Sequence, residues 1–246
     1  MVKSRLKLMI KKSCPRRGTI CRTNCDKFIL DHRDSKIHDN AMNFLRNLNS
    51  LPVFWLVLTI PAILLVQRYL AGDIIAMDML HPTGEFSARF MIIALMITPL
   101  SVIFGNRRWV GWMMKRRRSF GLAAFGYGVL HLLFYLIDME ALKPILAEFW
   151  APGIWTGWAA LIVFVPLAIT SNNAAMRRMK QGWKRLQRLV YIAAVLTLAH
   201  WLLIHDGIGG ALAHFIPLLS LELLRGIIIY VRRADKAKPA ESLQTE

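Results

Sequence analysis

Six long apolar runs alternate with short charged connections along the 246-residue chain. They fall at about Leu51–Val66, Phe90–Gly105, Ser119–Ile137, Ile154–Thr170, Leu189–Ile204 and Gly210–Val231. A stretch of about 20 apolar residues crosses a bilayer as a helix. In lipid only helices and closed barrels satisfy their own backbone, and continuous apolar runs rather than alternating ones point to helices. The pattern therefore predicts an all-α membrane protein with six transmembrane helices. The third run, SFGLAAFGYGVLHLLFYLI, holds no full charge and is bracketed by Arg116-Arg117-Arg118 and Asp138. It contains one imidazole, His131, preceded by the small residues Gly121, Ala123, Ala124, Gly126 and Gly128. An ionisable group inside a membrane helix is costly, and by default it marks a functional site.

Composition agrees with the pattern: 55% of residues are hydrophobic, and the mean hydropathy is +0.40. The formal charge of +17 does not indicate nucleic acid, because Lys and Arg gather in the N-terminal tail and in alternate connections. Basic residues lie before run one, between runs two and three, between runs four and five, and after run six. By the positive-inside rule both termini and those two connections face the cytoplasm. The expectation is a multi-pass protein of the bacterial inner membrane. Its domains read as a basic, flexible tail over residues 1–49, a six-helix body over 50–231 and a short cytoplasmic tail over 232–246. The opening MVKSRLKLMIKKSCPRR lacks the apolar core of a secretory signal. Met42, directly before run one, is a candidate start. Cys14, Cys21 and Cys25, with His32 and His38 following, form only a weak metal-binding pattern beside the plainer reading of a solvated tail.

Runs three and five cross in the same direction. His131 lies twelve residues into run three, a rise of about 18 Å, and His200 lies eleven residues into run five, about 17 Å. Two imidazoles thus reach one level, toward the outer face. They suit the axial positions of a haem slotted between spans three and five. Two unrelated polar residues, each bonded to a neighbouring helix, are the plainer alternative; zinc would want more nitrogen, sulfur or oxygen ligands than the runs offer. His205 points roughly 140° away from His200 around a helix and ranks below it as a ligand. His81 and His214 lie in or near outer connections. Glu222 and Arg225 stand at i, i+3 in run six, where they can pair, or Glu222 can handle a proton or a quinol hydroxyl. The run Arg116-Arg117-Arg118 suits propionates, anionic lipid or simple topology determination.

The stretch RRRSFGLAAFGYGVLHLLFYLID resembles the third-helix signature of the ferric reductase-like transmembrane domain family. Within that family it is most similar to the haem-binding subunits of periplasmic methionine sulfoxide reductase systems, the MsrQ/YedZ type. TGEFSARFMIIALMITPL, PLAITS and WKRLQRLVYIAAVLTLAHWLL extend the resemblance over about residues 50–206. It implies b-type haem held by His131 and His200, with Arg117 and Arg118 as further candidate cofactor contacts. It also implies an electron-transfer subunit of an oxidoreductase system rather than a stand-alone enzyme. Electrons would come from a quinol or a flavin reductase, with quinone or FMN as further candidate cofactors. They would pass to a periplasmic, molybdenum-containing oxidoreductase of the methionine sulfoxide reductase type.

One position departs from the family. An inner histidine usually stands where this chain has Gln187, thirteen residues before His200, about 20 Å along a helix. A glutamine amide is a poor iron ligand beside imidazole, so one firmly bound haem is expected and a second, inner site is doubtful. EALKPILAEFWAPGIWTG also departs from the usual basic stretch and reads as a partner-facing region. Two alternatives stay open: a metalloreductase acting on ferric iron or copper, and a divergent scaffold or assembly protein that has lost transmembrane electron transfer.

Overall fold

The computed structural model describes residues 51–105, 107–204 and 208–237. The tail with Cys14, Cys21, Cys25, His32 and His38, the turn with His205, and the last residues of the C-terminal tail lie outside them. The chain parts into two compact units, Met1–Val57 and Leu58–Glu246. Of the first, the described residues are the opening turns of the first helix. Among the described residues the structure is helical, without strands. The helices are α1 (Leu51–Leu70), α2 (Ala76–Phe104), α3 (Arg108–Met139), α4 (Leu142–Glu148), α5 (Pro152–Ile169), α6 (Asn173–Met179), α7 (Gln181–Gln187), α8 (Val190–Ile204) and α9 (Ile208–Ala237). Among the described residues six segments are long and apolar enough to cross a membrane: α1, α2, α3, α5, the combined stretch Gln181–Ile204, and α9.

The apolar runs mark the membrane segments but understate the helices. α2 begins at Ala76, so Asp78, His81 and Pro82 lie in its first turns and not in a loop. Asp78 caps this start by accepting the Ile75 backbone N–H (3.4 Å). α3 begins at Arg108, because the basic stretch before run three contains good helix formers and no proline. Long Arg side chains can leave an apolar helix end while keeping their charge in water. The connection between runs four and five is two short helices. Lys180 separates them with φ 48°, a left-handed conformation. The Asn172 side chain caps the first by accepting from Ala175 N–H (2.7 Å).

α2 packs most extensively on α3, and α8 on α5; α9 lies against α2. The shared core draws Met91 and Leu95 from α2, Ala124 from α3, Phe164 and Leu167 from α5, Ala193 and Trp201 from α8, and Phe215 from α9. Along α1 the buried residue is Leu58, so its anchorage rests on few contacts. One of them enters the backbone. Pro61 has no N–H, and one residue on, a hydroxyl bonds both the Ala62 N–H and the Leu58 carbonyl. Ala62 N–H donates to Tyr127 Oη (2.9 Å), and Tyr127 O–H donates to the Leu58 carbonyl (2.9 Å). A side chain inserted into the i→i−4 ladder is a recognised cause of a helix bend. Below the hydroxyl, the Tyr127 ring packs on Phe86 and Phe90 (centroids 5.4 and 5.3 Å).

Tyr127→Phe removes only the inserted hydroxyl and is expected to cost about 1 kcal/mol. Tyr127→Ala also empties the aromatic cluster and is expected to cost about 3 kcal/mol or more. Unfolding of the purified protein by SDS or heat in detergent measures both; equal effects would mean that the hydroxyl, and not the ring, does the anchoring.

Candidate functional site

His131 on α3 and His200 on α8 meet at one level, as the matched depths predict. Their ring centroids are 6.1 Å apart and their planes cross at 85°. Each ring is oriented by the neighbouring helix of its own packed pair. His131 Nδ1 lies 2.9 Å from the Leu80 carbonyl of α2. His200 Nδ1 lies 2.7 Å from the Gly153 carbonyl of α5. A carbonyl only accepts, so each Nδ1 carries the proton and donates it. In a neutral imidazole the lone pair is then on Nε2. The pair therefore offers two nitrogen donors, each fixed in tautomer and direction by backbone.

The two cradles are built alike. Each uses a carbonyl at position i, a threonine at i+3 and a glycine at i+4: Leu80, Thr83 and Gly84 on α2, and Gly153, Thr156 and Gly157 on α5. The glycines make room. A Cβ on Gly84 would stand 3.1 Å from His131 Nδ1, and one on Gly157 would stand 2.7 Å from His200 Nδ1. Both threonines are buried, and both hydroxyls turn back onto their own helix. Thr83 donates to Met79 O (2.6 Å) and Leu80 O (3.1 Å); Thr156 donates to Pro152 O (2.9 Å) and Gly153 O (2.8 Å). Thr83 Oγ1 is also 3.4 Å from His131 Nδ1. Sequence reasoning missed these four residues. The available signal was the dipeptide Thr-Gly recurring at 83–84 and 156–157, near the starts of the two helices that face the histidine helices. Within EALKPILAEFWAPGIWTG, Gly153, Thr156 and Gly157 form the His200 cradle, while Leu142, Leu146, Trp150 and Trp155 are exposed.

Gln187, Arg117 and Arg118 lie elsewhere. Arg117 is about 20 Å along α3 from His131, and its Nε donates to the Ala94 carbonyl (3.0 Å). Arg118 donates to Asn173 Oδ1 (2.7 Å). Gln187 Nε2 donates to the Leu167 carbonyl (3.2 Å) and Thr170 Oγ1 (3.3 Å) at the end of α5, where Trp183 Nε1 also donates to the Thr170 carbonyl (2.9 Å). Arg118 and Gln187 reach the ends of neighbouring helices, and Arg117 reaches the middle of α2, all well away from the histidine pair. Inward of the pair, Ala124 and Ala193 are fully enclosed in the shared core.

The remaining ionisable candidates form two networks. On the histidine level, Glu85 bonds Arg89, Arg89 Nε donates to His214 Nε2 (3.1 Å), and His81 Nδ1 is 4.0 Å from Glu85. The His214 ring lies on Trp201, centroids 5.3 Å apart. Toward the other end Arg225 pairs with Glu222 (2.8 Å) as the i, i+3 spacing predicts, and Tyr191 O–H donates to Glu222 (3.1 Å). Among the described residues no group of three or more His, Cys, Asp or Glu side chains could hold a metal ion.

The family described as "Ferric reductase like transmembrane component" matches residues 83–198. That stretch runs from the first Thr-Gly cradle through His131 and the second cradle, and ends two residues before His200. Curated relatives carry the name "Protein-methionine-sulfoxide reductase heme-binding subunit MsrQ". The protein of Agrobacterium fabrum is 31% identical over 172 residues, covering 67% of this chain and 78% of the relative. That of Rhizobium meliloti is 40% identical over 124 residues, covering 49% of this chain and 55% of the relative. That of Ralstonia nicotianae is 34% identical over 158 residues, covering 60% and 69%. The match thus spans little more than half of the Rhizobium protein. With six apolar helices in place and these similarities across them, the chain belongs to the ferric reductase-like transmembrane family, among its MsrQ-type members.

Proposed function

We propose that the protein is a haem-binding electron-transfer subunit of the bacterial inner membrane, with its six-helix body over residues 50–231 and both termini in the cytoplasm. It would receive electrons from a quinol or flavin donor and serve a periplasmic, molybdenum-containing methionine sulfoxide reductase. The observation that carries the proposal is the histidine pair, with ring centres 6.1 Å apart. Two imidazoles on opposite sides of one iron, at metal–nitrogen distances of about 2 Å, have ring centres about 6 Å apart. The relatives' printed name, a heme-binding subunit, supports the same ligand.

His131 and His200 would hold b-type haem through Nε2. Two donors suffice because a porphyrin supplies its own four nitrogens. When bound, haem supplies reversible one-electron chemistry at iron. The chain's part is to hold and tune. The Leu80 and Gly153 carbonyls fix the imidazoles, Gly84 and Gly157 leave them room, and apolar helices keep water away. One haem per chain is the expected load, because Gln187 spends its amide on the end of α5 and core side chains occupy the space inward of the pair.

Protein purified in detergent should show a sharp reduced α-band at one haem per chain. His131→Ala and His200→Ala should each abolish the low-spin spectrum. Absence of haem after expression with ample haem supply would contradict the proposal. Gly157→Ala places a methyl where the His200 ring lies and should weaken haem retention about 10-fold or more, measured by transfer to an apo-haem acceptor. Gln187→His should leave the stoichiometry at one and lower the unfolding midpoint; a rise toward two would show that the inner space can reopen.

A further inference from the structure

The two threonine hydroxyls share their acceptors with the two imidazoles. The Gly153 carbonyl accepts from Thr156 O–H at 2.8 Å and from His200 Nδ1–H at 2.7 Å. The Leu80 carbonyl accepts from His131 Nδ1–H at 2.9 Å and takes a minor, 3.1 Å share of the Thr83 O–H, whose main acceptor is the Met79 carbonyl at 2.6 Å. Both carbonyls also occupy the i→i−4 position for a glycine N–H, Gly157 and Gly84, within regular helix. The same crowding occurs on two helices that are unrelated in sequence apart from the Thr-Gly dipeptide. It occurs at the carbonyls that orient the histidines, with both threonines buried: Thr83 has no exposed surface, and Thr156 has 9%.

A carbonyl has two lone pairs, and each added donor draws density from the others. The strength of an imidazole's outward N–H···O bond sets how basic its other nitrogen is toward a metal. A strongly accepting carbonyl gives the imidazole more anionic character and favours the more positive metal state; a crowded carbonyl does the reverse. A hydroxyl hydrogen shared with the carbonyl oxygen beside the ring acts in the same direction. We propose that Thr83 and Thr156 are positioning residues whose hydroxyls, by competing with His131 and His200 for the Leu80 and Gly153 carbonyls, weaken imidazole donation and hold the reduction potential of the site up. This inference rests on the proposed haem-binding role. Thr156 makes the shorter bond to the shared carbonyl and is the stronger regulator of the two.

The test is the midpoint potential of the purified protein, measured by optical redox titration, with haem content read from the same samples. Thr156→Val keeps the shape and removes the hydroxyl. It is expected to lower the reduction equilibrium constant by about threefold to tenfold, the upper value being about 59 mV for one electron. Thr83→Val is expected to shift it in the same direction by less, and Thr156→Ser, which restores the hydroxyl, to return it most of the way to the parent value. The proposal is overturned by an unchanged or raised potential in both valine variants, by a serine variant that behaves like valine, or by loss of haem from both valine variants, which would make the hydroxyls structural only. Wild-type protein without haem would instead sink the haem-binding role itself. A haem-loaded wild type with unmoved variants would sink this inference alone.

Discussion

The hydrogen bond from each imidazole Nδ1 to a main-chain carbonyl is the interaction on which the site depends. An imidazole in an apolar span has no water to orient it, and a side-chain partner would bring its own mobility. A helix carbonyl is fixed in place by the ladder around it. Leu80 O and Gly153 O therefore turn two flexible side chains into donors of fixed tautomer and direction. The arrangement requires that a ring lie directly on a helix backbone, and only a residue without a Cβ permits that. Gly84 and Gly157 follow from the bond rather than accompany it.

The helix arrangement serves the same requirement. Each histidine helix is paired with the helix that cradles its ring: α3 with α2, and α8 with α5. The two pairs are joined through a core in which small residues, Ala124 and Ala193, let the backbones approach, as helix contacts in lipid generally require. α1 stands outside this logic. It buries little of itself, and the Tyr127 hydroxyl holds it by bonding both the Ala62 N–H and the Leu58 carbonyl. The opposite end of the bundle is stitched by Arg118, Trp183 and Gln187, each bonded to the end of a neighbouring helix or to a residue beside it, while Arg117 bonds the Ala94 carbonyl within α2. At that end, polar side chains are spent on holding corners.

Much of this was legible in the sequence because lipid leaves few choices. Uncharged runs of sufficient length must be helices, and equal residue counts along helices of equal rise must reach equal depth. His131 and His200 were found on those grounds. The starts of α2 and α3 were not legible, because hydropathy reports where a helix enters lipid and not where its backbone ladder begins. α2 accordingly starts among Asp78, His81 and Pro82, which read as loop. The cradles were hidden for a different reason. Thr-Gly carries no charge and no periodic signal, and a glycine's role there is to be absent beside a ring on another helix. Gln187 was visible as a departure, but its bonds to Leu167 and Thr170 depend on how the helix that carries it packs against the end of α5, which no local pattern specified.

In the proposed role His131 and His200, whose ring planes cross at 85°, would hold one haem. Imidazoles held on one iron at that angle would leave two iron d orbitals close in energy and give an unusually anisotropic low-spin ferric signal, whereas parallel rings would give an ordinary rhombic one. Low-temperature electron paramagnetic resonance of the oxidised protein reads this directly. A single, highly anisotropic low-spin species accounting for one haem per chain is the predicted result. A high-spin signal, or a rhombic low-spin signal in its place, would contradict the account.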